Sequence, residues 1–316
     1  MPNVIRSCVR ILCFVGGLSF PHLAFGLDAT SVSAVEVLSG HGELAITSAT
    51  VDRDGTKLEI VVHRSSAPQK RGTVVFTHGF PGGAVGKTGF ESRKALIGSL
   101  LILGFGAVEF NYLGSWANGG EFSWFGGVQD AEAVLRFVRS RDAAALGLDA
   151  SNIVLVGHSY GGWVALTTAA RDSSLHCVAG LASSDMGKTG ELIQTDKTFR
   201  NTRLAMYEEV LNASGSPVRA VSASSLADDA AAHADSWSLI NRASLLRSKQ
   251  LLLVAAEGDT LTPRDAYFYP LVDALKRFGA TSMRTAVIAS ADHNFRVNRQ
   301  ELDAVILDWI ANDCKS

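Results

Sequence analysis

Unbroken apolar runs alternate with segments of helical spacing over most of the chain. The buried strands that these runs predict span residues 73–77, 106–112, 153–156, 178–183, 251–256 and 283–288. Between and after them, apolar residues repeat at helical intervals and predict helices over 90–103, 128–146, 163–170, 263–278 and 298–310. Continuous apolar strands that alternate with helices are typical of a mostly parallel sheet covered on both faces.

A different pattern precedes the first of these strands. Residues 43–51 and 57–63 alternate between apolar and polar side chains, and Asp-Arg-Asp-Gly at 52–55 joins them. Alternation on both sides of a short turn that contains glycine predicts an antiparallel hairpin. We therefore expect the first two strands to be the antiparallel part of the sheet.

One segment interrupts the alternation between strands and helices. Residues 186–248 lie between two predicted strands, are rich in Ala, Ser and Asp, and contain helical stretches such as 199–211. Long insertions of this kind in compact domains are often lids over a binding site. We expect a helical cap here; the alternative is a surface excursion without a gating role.

Residues 1–26 have the pattern of a secretory signal peptide. Arg6 and Arg10 form a basic start, residues 11–20 are apolar, and small residues stand before the expected cleavage after Gly26. About ten apolar residues are too few to span a bilayer as a helix, which argues against a membrane anchor. We therefore expect an exported protein, periplasmic or secreted, with a mature domain over 27–316 and no stable membrane anchor.

Two cysteines, Cys177 and Cys314, remain after that cleavage. Cysteines of an exported protein can pair in an oxidising compartment. Cys177 opens an apolar strand and Cys314 lies in the C-terminal tail, so their pairing depends on the tertiary structure. Neither has the spacing of a zinc site.

Composition narrows the class of protein further. The chain has 316 residues, of which 47% are hydrophobic and 19% charged, and its net charge is −2. This composition is typical of a globular protein with a large core, and it lacks the basic patch that nucleic-acid binding requires. Nucleic acid is therefore not an expected partner, and the oligomeric state stays open.

The segment Gly-His-Ser-Tyr-Gly-Gly at 157–162 carries the first candidate chemistry. It follows a predicted strand and precedes a predicted helix, which is the setting of the G-x-S-x-G nucleophile elbow. Such a turn exposes the hydroxyl of Ser159 and directs backbone N–H groups toward a developing oxyanion. The pentapeptide alone can also arise by chance in a glycine-rich chain, so a base, an acid and a second oxyanion donor are needed.

A glycine-rich loop supplies a candidate for that second donor. His-Gly-Phe-Pro-Gly-Gly at 78–83 ends the strand 73–77. The N–H groups of Phe80 and Tyr160 are the predicted oxyanion hole; the alternative for this loop is an ordinary turn at a strand end.

The remaining catalytic candidates follow the last two predicted strands. His293, in Asp-His-Asn-Phe, comes just after 283–288 and is the predicted general base. Asp259, in Gly-Asp-Thr, comes after 251–256 and is the predicted acid that orients the imidazole. Asp185 is the main rival for that role, and Glu257 and Asp292 are weaker ones.

With these segments in this order, the chain resembles the α/β-hydrolase superfamily over residues 43–310. The resemblance implies an α/β fold with a mostly parallel central sheet, an antiparallel N-terminal hairpin, helices on both faces, and a helical cap before the strand that carries the acid. The segment 110–116, with Gly-Gly-Glu-Phe-Ser after it, resembles the prolyl-oligopeptidase-like and dipeptidyl-aminopeptidase/acylaminoacyl-peptidase-like branch. Tyr-Arg-Gly-Ser is common in that branch, and Leu113 replaces the Arg here. No β-propeller is expected ahead of the domain.

These observations predict a serine hydrolase that works without a metal or organic cofactor. We expect an ester or another small acyl substrate; a serine peptidase acting on short peptides is the alternative, and a non-catalytic binding protein on the same fold is a second one. The aromatic residues predicted to line the substrate pocket are Trp116, Phe122 and Trp124.

Overall fold

A nine-stranded sheet runs through the residues that the computed structural model describes, which are 32–38, 42–66, 71–82 and 88–314. The strands are β1 Val32–Leu38, β2 Gly42–Arg53, β3 Thr56–Ser65, β4 Thr73–Thr77, β5 Gly106–Phe110, β6 Ile153–His158, β7 Cys177–Leu181, β8 Gln250–Ala256 and β9 Met283–Ile288. Their order across the sheet is β1-β2-β3-β5-β4-β6-β7-β8-β9. The pairs from β5 to β9 are all parallel, so the predicted α/β-hydrolase fold is confirmed.

The antiparallel part of the sheet is larger than predicted. The hairpin of β2 and β3 forms as expected, but β1 pairs antiparallel with β2 on its other side, and β3 pairs antiparallel with β5. The first strand predicted from the sequence began at residue 43, so a strand over 32–38 was not expected. Pairing with the edge of β2 makes this segment a strand.

Helices cover the sheet and connect its strands. They are α1 Thr88–Ile102, α2 Trp124–Val138, α3 Arg141–Ala145, α4 Tyr160–Arg171, α5 Met186–Thr195, α6 Lys197–Asn212, α7 Ala223–Ala232, α8 Ala234–Trp237, α9 Ala243–Leu246, α10 Arg264–Arg277 and α11 Arg299–Asn312. The single helix predicted over 128–146 is wrong. The chain turns at Ser140, whose extended backbone and side-chain bond to the Ala143 N–H begin a separate helix.

Adjacent residues of the central strands belong to two different cores. Val75 and Leu155 pack with Trp163 on one face, whereas Val74 and Val154 pack with Trp309 on the other. This division follows from the period of two in a strand, because successive side chains point to opposite faces. Both faces of the central strands are therefore buried, as their unbroken apolar sequences indicate.

The segment that interrupts the alternation forms helices α5 to α9 between β7 and β8. Two tryptophans of the sheet domain bind it through their indole N–H groups. Trp124 donates to the carbonyl of Leu226 and Trp163 to that of Trp237, each at 2.8 Å. These bonds hold the insertion over the carboxyl ends of the strands.

Cys177 and Cys314 form a disulfide, with their Cα atoms 5.8 Å apart. It joins the first residue of β7 to the residue that follows α11 and its cap. No helix among the described residues has the length and apolar character needed to cross a membrane. The predicted signal peptide, residues 1–26, lies outside the described residues.

Candidate active site

Ser159 lies at the turn between β6 and α4. Its backbone has φ 56° and ψ −122°, a conformation that costs a non-glycine residue about 1–3 kcal/mol. The flanking glycines permit the turn, because a Cβ on Gly157 would collide with the Gly161 carbonyl and one on Gly161 would collide with that of Thr77. The elbow expected from the sequence is therefore present, and favourable contacts elsewhere in the fold have to offset the backbone strain at Ser159.

Three of the predicted residues form one hydrogen-bonded chain. The Ser159 hydroxyl donates to His293 Nε2, with 2.8 Å between the two atoms. His293 Nδ1–H donates to Asp259 Oδ2 over 2.7 Å. All three side chains are buried, with 7–9% exposure. The arrangement provides a hydroxyl, a base that can take its proton, and a carboxylate that can stabilise the resulting imidazolium.

Parallel strands explain why residues so far apart in sequence meet here. Ser159, Asp259 and His293 follow β6, β8 and β9, whose carboxyl ends share one edge of the sheet. The loops that follow β8 and β9 are also hydrogen-bonded to each other, since the Gly258 N–H donates to the Ala291 carbonyl over 2.9 Å.

Asp259 is held in its ionised form by donors on all sides. Oδ1 accepts from the N–H groups of Leu261 and Thr262 at 2.8 and 2.9 Å, and the Thr262 hydroxyl donates to Oδ2 over 2.6 Å. Burial raises the pKa of Asp259, but the bonds from His293 and Thr262 together outweigh burial and lower this pKa to about 2. The carboxylate is therefore charged at neutral pH.

The rival carboxylates have other partners. Asp185 caps α5 through the N–H groups of Gly187 and Lys188, and its second oxygen accepts from Leu239 N–H over 3.0 Å. Glu257 accepts from the Ser290 N–H and Asp292 from the Arg296 N–H. The structure therefore brings Asp259, and none of these three, to His293.

His158 and His78 adjoin the site as neutral side chains. Burial lowers the pKa of His158 to about 3, and the nearby His293 charge adds to this effect. His158 Nε2 lies 2.7 Å from the carbonyl oxygen of His293, to which it donates. Burial likewise lowers the pKa of His78 to about 4, and its Nδ1 donates to the Gly79 carbonyl. His158 therefore supports the loop that carries His293.

The two predicted oxyanion donors, Phe80 and Tyr160, line the same cavity as Ser159. Tyr160 is the first residue of α4, where backbone N–H groups have no acceptor within the helix. The loop with Phe80 is close to the nucleophile, since a methyl group on Gly79 would lie 3.2 Å from Ser159 Cβ. Neither the Phe80 N–H nor the Tyr160 N–H donates to another described residue. Both are therefore free to bind an oxyanion.

A cavity of about 820 Å³ opens beside Ser159. Of the three aromatic residues predicted to line it, only Trp124 does so. Phe122 is 4% exposed and packs behind the wall, with its ring 5.2 Å from those of Phe80 and Trp124. Trp116 bonds through its backbone to Pro217 and Arg219 of the insertion, which hold it outside the cavity. The predictions for Trp116 and Phe122 are therefore wrong.

The insertion supplies cavity residues that the sequence did not single out. Met186 and Thr189 come from α5, and Arg203, Met206 and Tyr207 come from α6. Residues 206 and 207 follow residue 203 by three and four positions, so both lie on the same face of α6 as residue 203. That helical spacing was visible in the sequence, but it did not show what the face covers.

The charged residues of the cavity wall are all arginines. Arg93, Arg203, Arg296 and Arg299 line it, and no Asp or Glu among the described residues does. No group of three or more metal-binding side chains occurs in the described part of the chain.

Comparison with known proteins agrees with this fold. The model of a family described as the alpha/beta hydrolase family matches residues 74–308. Est1E from Butyrivibrio proteoclasticus, solved with ferulic acid, has 18% sequence identity and a TM-score of 0.61, over 84% of this chain and 98% of that one. The Pyrococcus furiosus esterase Pf2001 has 15% identity and a TM-score of 0.61, over 86% and 92%. The alpha/beta hydrolase GrgF from Penicillium sp. sh18 has 15% identity and a TM-score of 0.62, over 85% and 99%.

At these identities the likeness to the solved structures shows the fold alone. No curated protein matches this chain by sequence.

Proposed function

This chain belongs to the alpha/beta hydrolase family, and on that premise we propose that it is a serine hydrolase that cleaves a carboxylic ester or a similar small acyl substrate. The observation that carries the proposal is the hydrogen-bonded chain from Ser159 through His293 to Asp259. In it, each residue has the partner that acyl transfer requires.

In the proposed reaction, the Ser159 oxygen attacks the substrate carbonyl while His293 Nε2 accepts the hydroxyl proton. The Phe80 and Tyr160 N–H groups bind the oxyanion. A single such donor typically lowers the activation barrier by about 3 kcal/mol. His293 then gives its proton to the leaving alcohol, which leaves an acyl group on Ser159. A water that His293 deprotonates attacks this ester and restores the free serine.

The charges of the cavity favour an ester substrate over an aminopeptidase substrate. An aminopeptidase has to bind a substrate ammonium, for which a carboxylate is the usual partner. The charged side chains on the described cavity wall are arginines only. Arg93 and Arg296 are ion-paired with Glu109 and Asp292, which do not line the cavity, so the described wall offers an ammonium no carboxylate.

The resemblance to the prolyl-oligopeptidase-like branch adds little support for a peptidase. It rests on the segment 110–116, in which Leu113 stands where arginine is common. Leu113 is buried and its N–H bonds to Asp130, so it contacts no substrate in the cavity. One of the similar solved structures, Pf2001 of Pyrococcus furiosus, is an esterase, which agrees with the ester proposal.

We also propose that the protein is exported. The pattern of residues 1–26 supports this, and so does the Cys177–Cys314 disulfide, because disulfides persist mainly in oxidising compartments. Mass spectrometry of the protein recovered from a periplasmic or culture fraction should find a new terminus after Gly26. An intact Met1 terminus on the mature protein would contradict export by cleavage.

A fluorophosphonate probe tests the hydrolase proposal directly. The wild-type protein should be labelled, and Ser159→Ala should not be. Ser183→Ala is the matched control, because Ser183 is a nearby serine that does not line the cavity, and it should keep the label. An unlabelled wild type that turns over no p-nitrophenyl ester would instead favour a non-catalytic binding protein.

A further inference from the structure

The proposed reaction assigns the two parts of an ester to different sides of the cavity. The leaving alcohol takes its proton from His293 Nε2, so it has to lie beside His293. The acyl group then extends to the other side of Ser159, along Phe80 and Trp124. Helices α5 and α6 of the insertion close this acyl side with Met186, Met206 and Tyr207.

Tyr207 is the polar group of this mostly apolar acyl side. Its ring centroid lies 5.9 Å from that of Phe80 and 5.5 Å from that of Trp124, and the residue is only 2% exposed. Burial raises the pKa of Tyr207, so its hydroxyl keeps the proton and is a donor at neutral pH. The hydroxyl has no partner among the described residues, and Tyr207 lines the cavity.

Neighbouring polar groups of the same aromatic cluster are hydrogen-bonded. The Tyr160 hydroxyl donates to the Trp124 carbonyl over 2.5 Å, and the Tyr112 hydroxyl donates to the His78 carbonyl over 2.9 Å. The Trp124 indole N–H donates to the Leu226 carbonyl. The Tyr207 hydroxyl therefore remains available as a donor to an acceptor that enters the cavity.

Arg203 adds positive charge beside this donor. It lies one helical turn before Tyr207 on α6, lines the cavity, and donates from Nη2 to the Leu261 carbonyl over 2.8 Å. Its guanidinium lies 4.8 Å from the Phe199 ring centroid and has no carboxylate at ion-pair distance among the described residues. The local charge therefore favours an electron-rich group on the substrate.

We propose that the acyl group of the substrate has an apolar body and carries a hydrogen-bond-accepting oxygen that Tyr207 binds through its hydroxyl, with Arg203 beside it. This inference rests on the proposed hydrolase function and specifies the substrate class. Tyr207 is then a specificity-determining residue, because it contacts the acyl group away from the bond that is cleaved.

Nine p-nitrophenyl esters provide the test. Their acids are benzoic, phenylacetic and 3-phenylpropanoic acid, each with hydrogen, methoxy or carboxylate at the para position. At one length or more, kcat/KM for an oxygen-bearing ester should exceed that of the unsubstituted ester by roughly tenfold. In Tyr207→Phe this ratio should fall to about one.

Tyr267→Phe is the matched control. Tyr267 is also buried, but its hydroxyl pairs with Thr189 and it does not line the cavity, so this variant should keep the wild-type ratio. Arg203→Met then distinguishes the two kinds of oxygen. A fall in the ratio for the carboxylate esters identifies an anionic acceptor, and an unchanged ratio for the carboxylate esters identifies a neutral one.

Ratios near one at all three lengths, or a ratio that Tyr207→Phe retains, would overturn the proposal. Calorimetry separates this failure from failure of the hydrolase function. The free acids of the same series are titrated into Ser159→Ala, with and without Tyr207→Phe. If no ester is cleaved but oxygen-bearing acids bind more tightly only when Tyr207 is present, the acceptor site stands and the reaction is wrong.

Discussion

His158 Nε2 lies 2.7 Å from the carbonyl oxygen of His293. The residue that precedes the nucleophile in the chain therefore holds the loop that carries the proposed base. Because burial lowers the pKa of His158 to about 3, this bond is made by a neutral imidazole and persists across the physiological pH range.

His158→Leu should lower kcat while changing KM little. The loss of the bond lets His293 move relative to Ser159, and we expect roughly a tenfold decrease, since a small displacement of a catalytic group is costly. Steady-state kinetics with a p-nitrophenyl ester provides the measurement. His158→Gln, whose amide can donate to the same carbonyl, should recover most of the activity. Equal losses of kcat in both variants would show that the hydrogen bond to the His293 carbonyl does not support catalysis.

Asp259→Asn should reduce kcat by about three to four orders of magnitude and leave the fold intact. The amide oxygen can still accept from the Leu261 and Thr262 N–H groups, but it cannot stabilise an imidazolium. Circular dichroism checks the fold and ester turnover checks the activity. Asp185→Asn, which alters the cap of α5 instead, should retain turnover, and the opposite pattern would assign the acid to Asp185.

The buried carboxyl of Asp130 should make the protein more stable in mild acid. Burial raises the pKa of Asp130 to about 6, from the ordinary value of 3.8 that it has in the unfolded chain. A raised pKa means that the folded state binds the proton more tightly, so this stability is present below pH 3.8 and is lost as the pH rises through 6.

Urea unfolding at pH 7, 6 and 5 measures this effect. From pH 7 to 5, Asp130 should add about 1 kcal/mol to the free energy of unfolding. Asp185, whose pKa burial also raises to about 6, acts in the same direction. In Asp130→Asn the rise should be smaller by about 1 kcal/mol. An identical pH dependence in both proteins would contradict the assignment.

The Cys177–Cys314 disulfide should stabilise the fold without taking part in the reaction. It closes a loop over a sequence separation of 137 residues. Cys314→Ser should lower the free energy of unfolding by about 2–4 kcal/mol. Ester turnover at 25 °C should stay near the wild-type value. With a thiol reductant present, the wild type and Cys314→Ser should have the same free energy of unfolding. A difference that persists in the reductant would show that the substitution acts through something other than the disulfide.

Much of the fold could be predicted because its signals are local. The central strands are buried on both faces, so each appears as an unbroken apolar run with nearly its observed bounds. The elbow is local in part, since a Cβ on Gly157 would collide with the Gly161 carbonyl, whereas one on Gly161 would collide with Thr77 of the neighbouring strand. One failure occurs where a neighbouring strand decides, since 32–38 becomes a strand by pairing with β2. The other is a local signal that the apolar spacing does not contain: Ser140 begins a separate helix by accepting from the Ala143 N–H.

By itself, the sequence determined the order and type of the elements and the candidates Ser159, Asp259 and His293, because periodicity and turn chemistry act over short separations. Only the tertiary structure brought Asp259 rather than Asp185 to His293, paired Cys177 with Cys314, and placed Tyr207 rather than Trp116 at the cavity. Each of these contacts joins parts of the chain that are distant in sequence. Their meeting depends on how the sheet edge and the insertion pack, which no local pattern specifies.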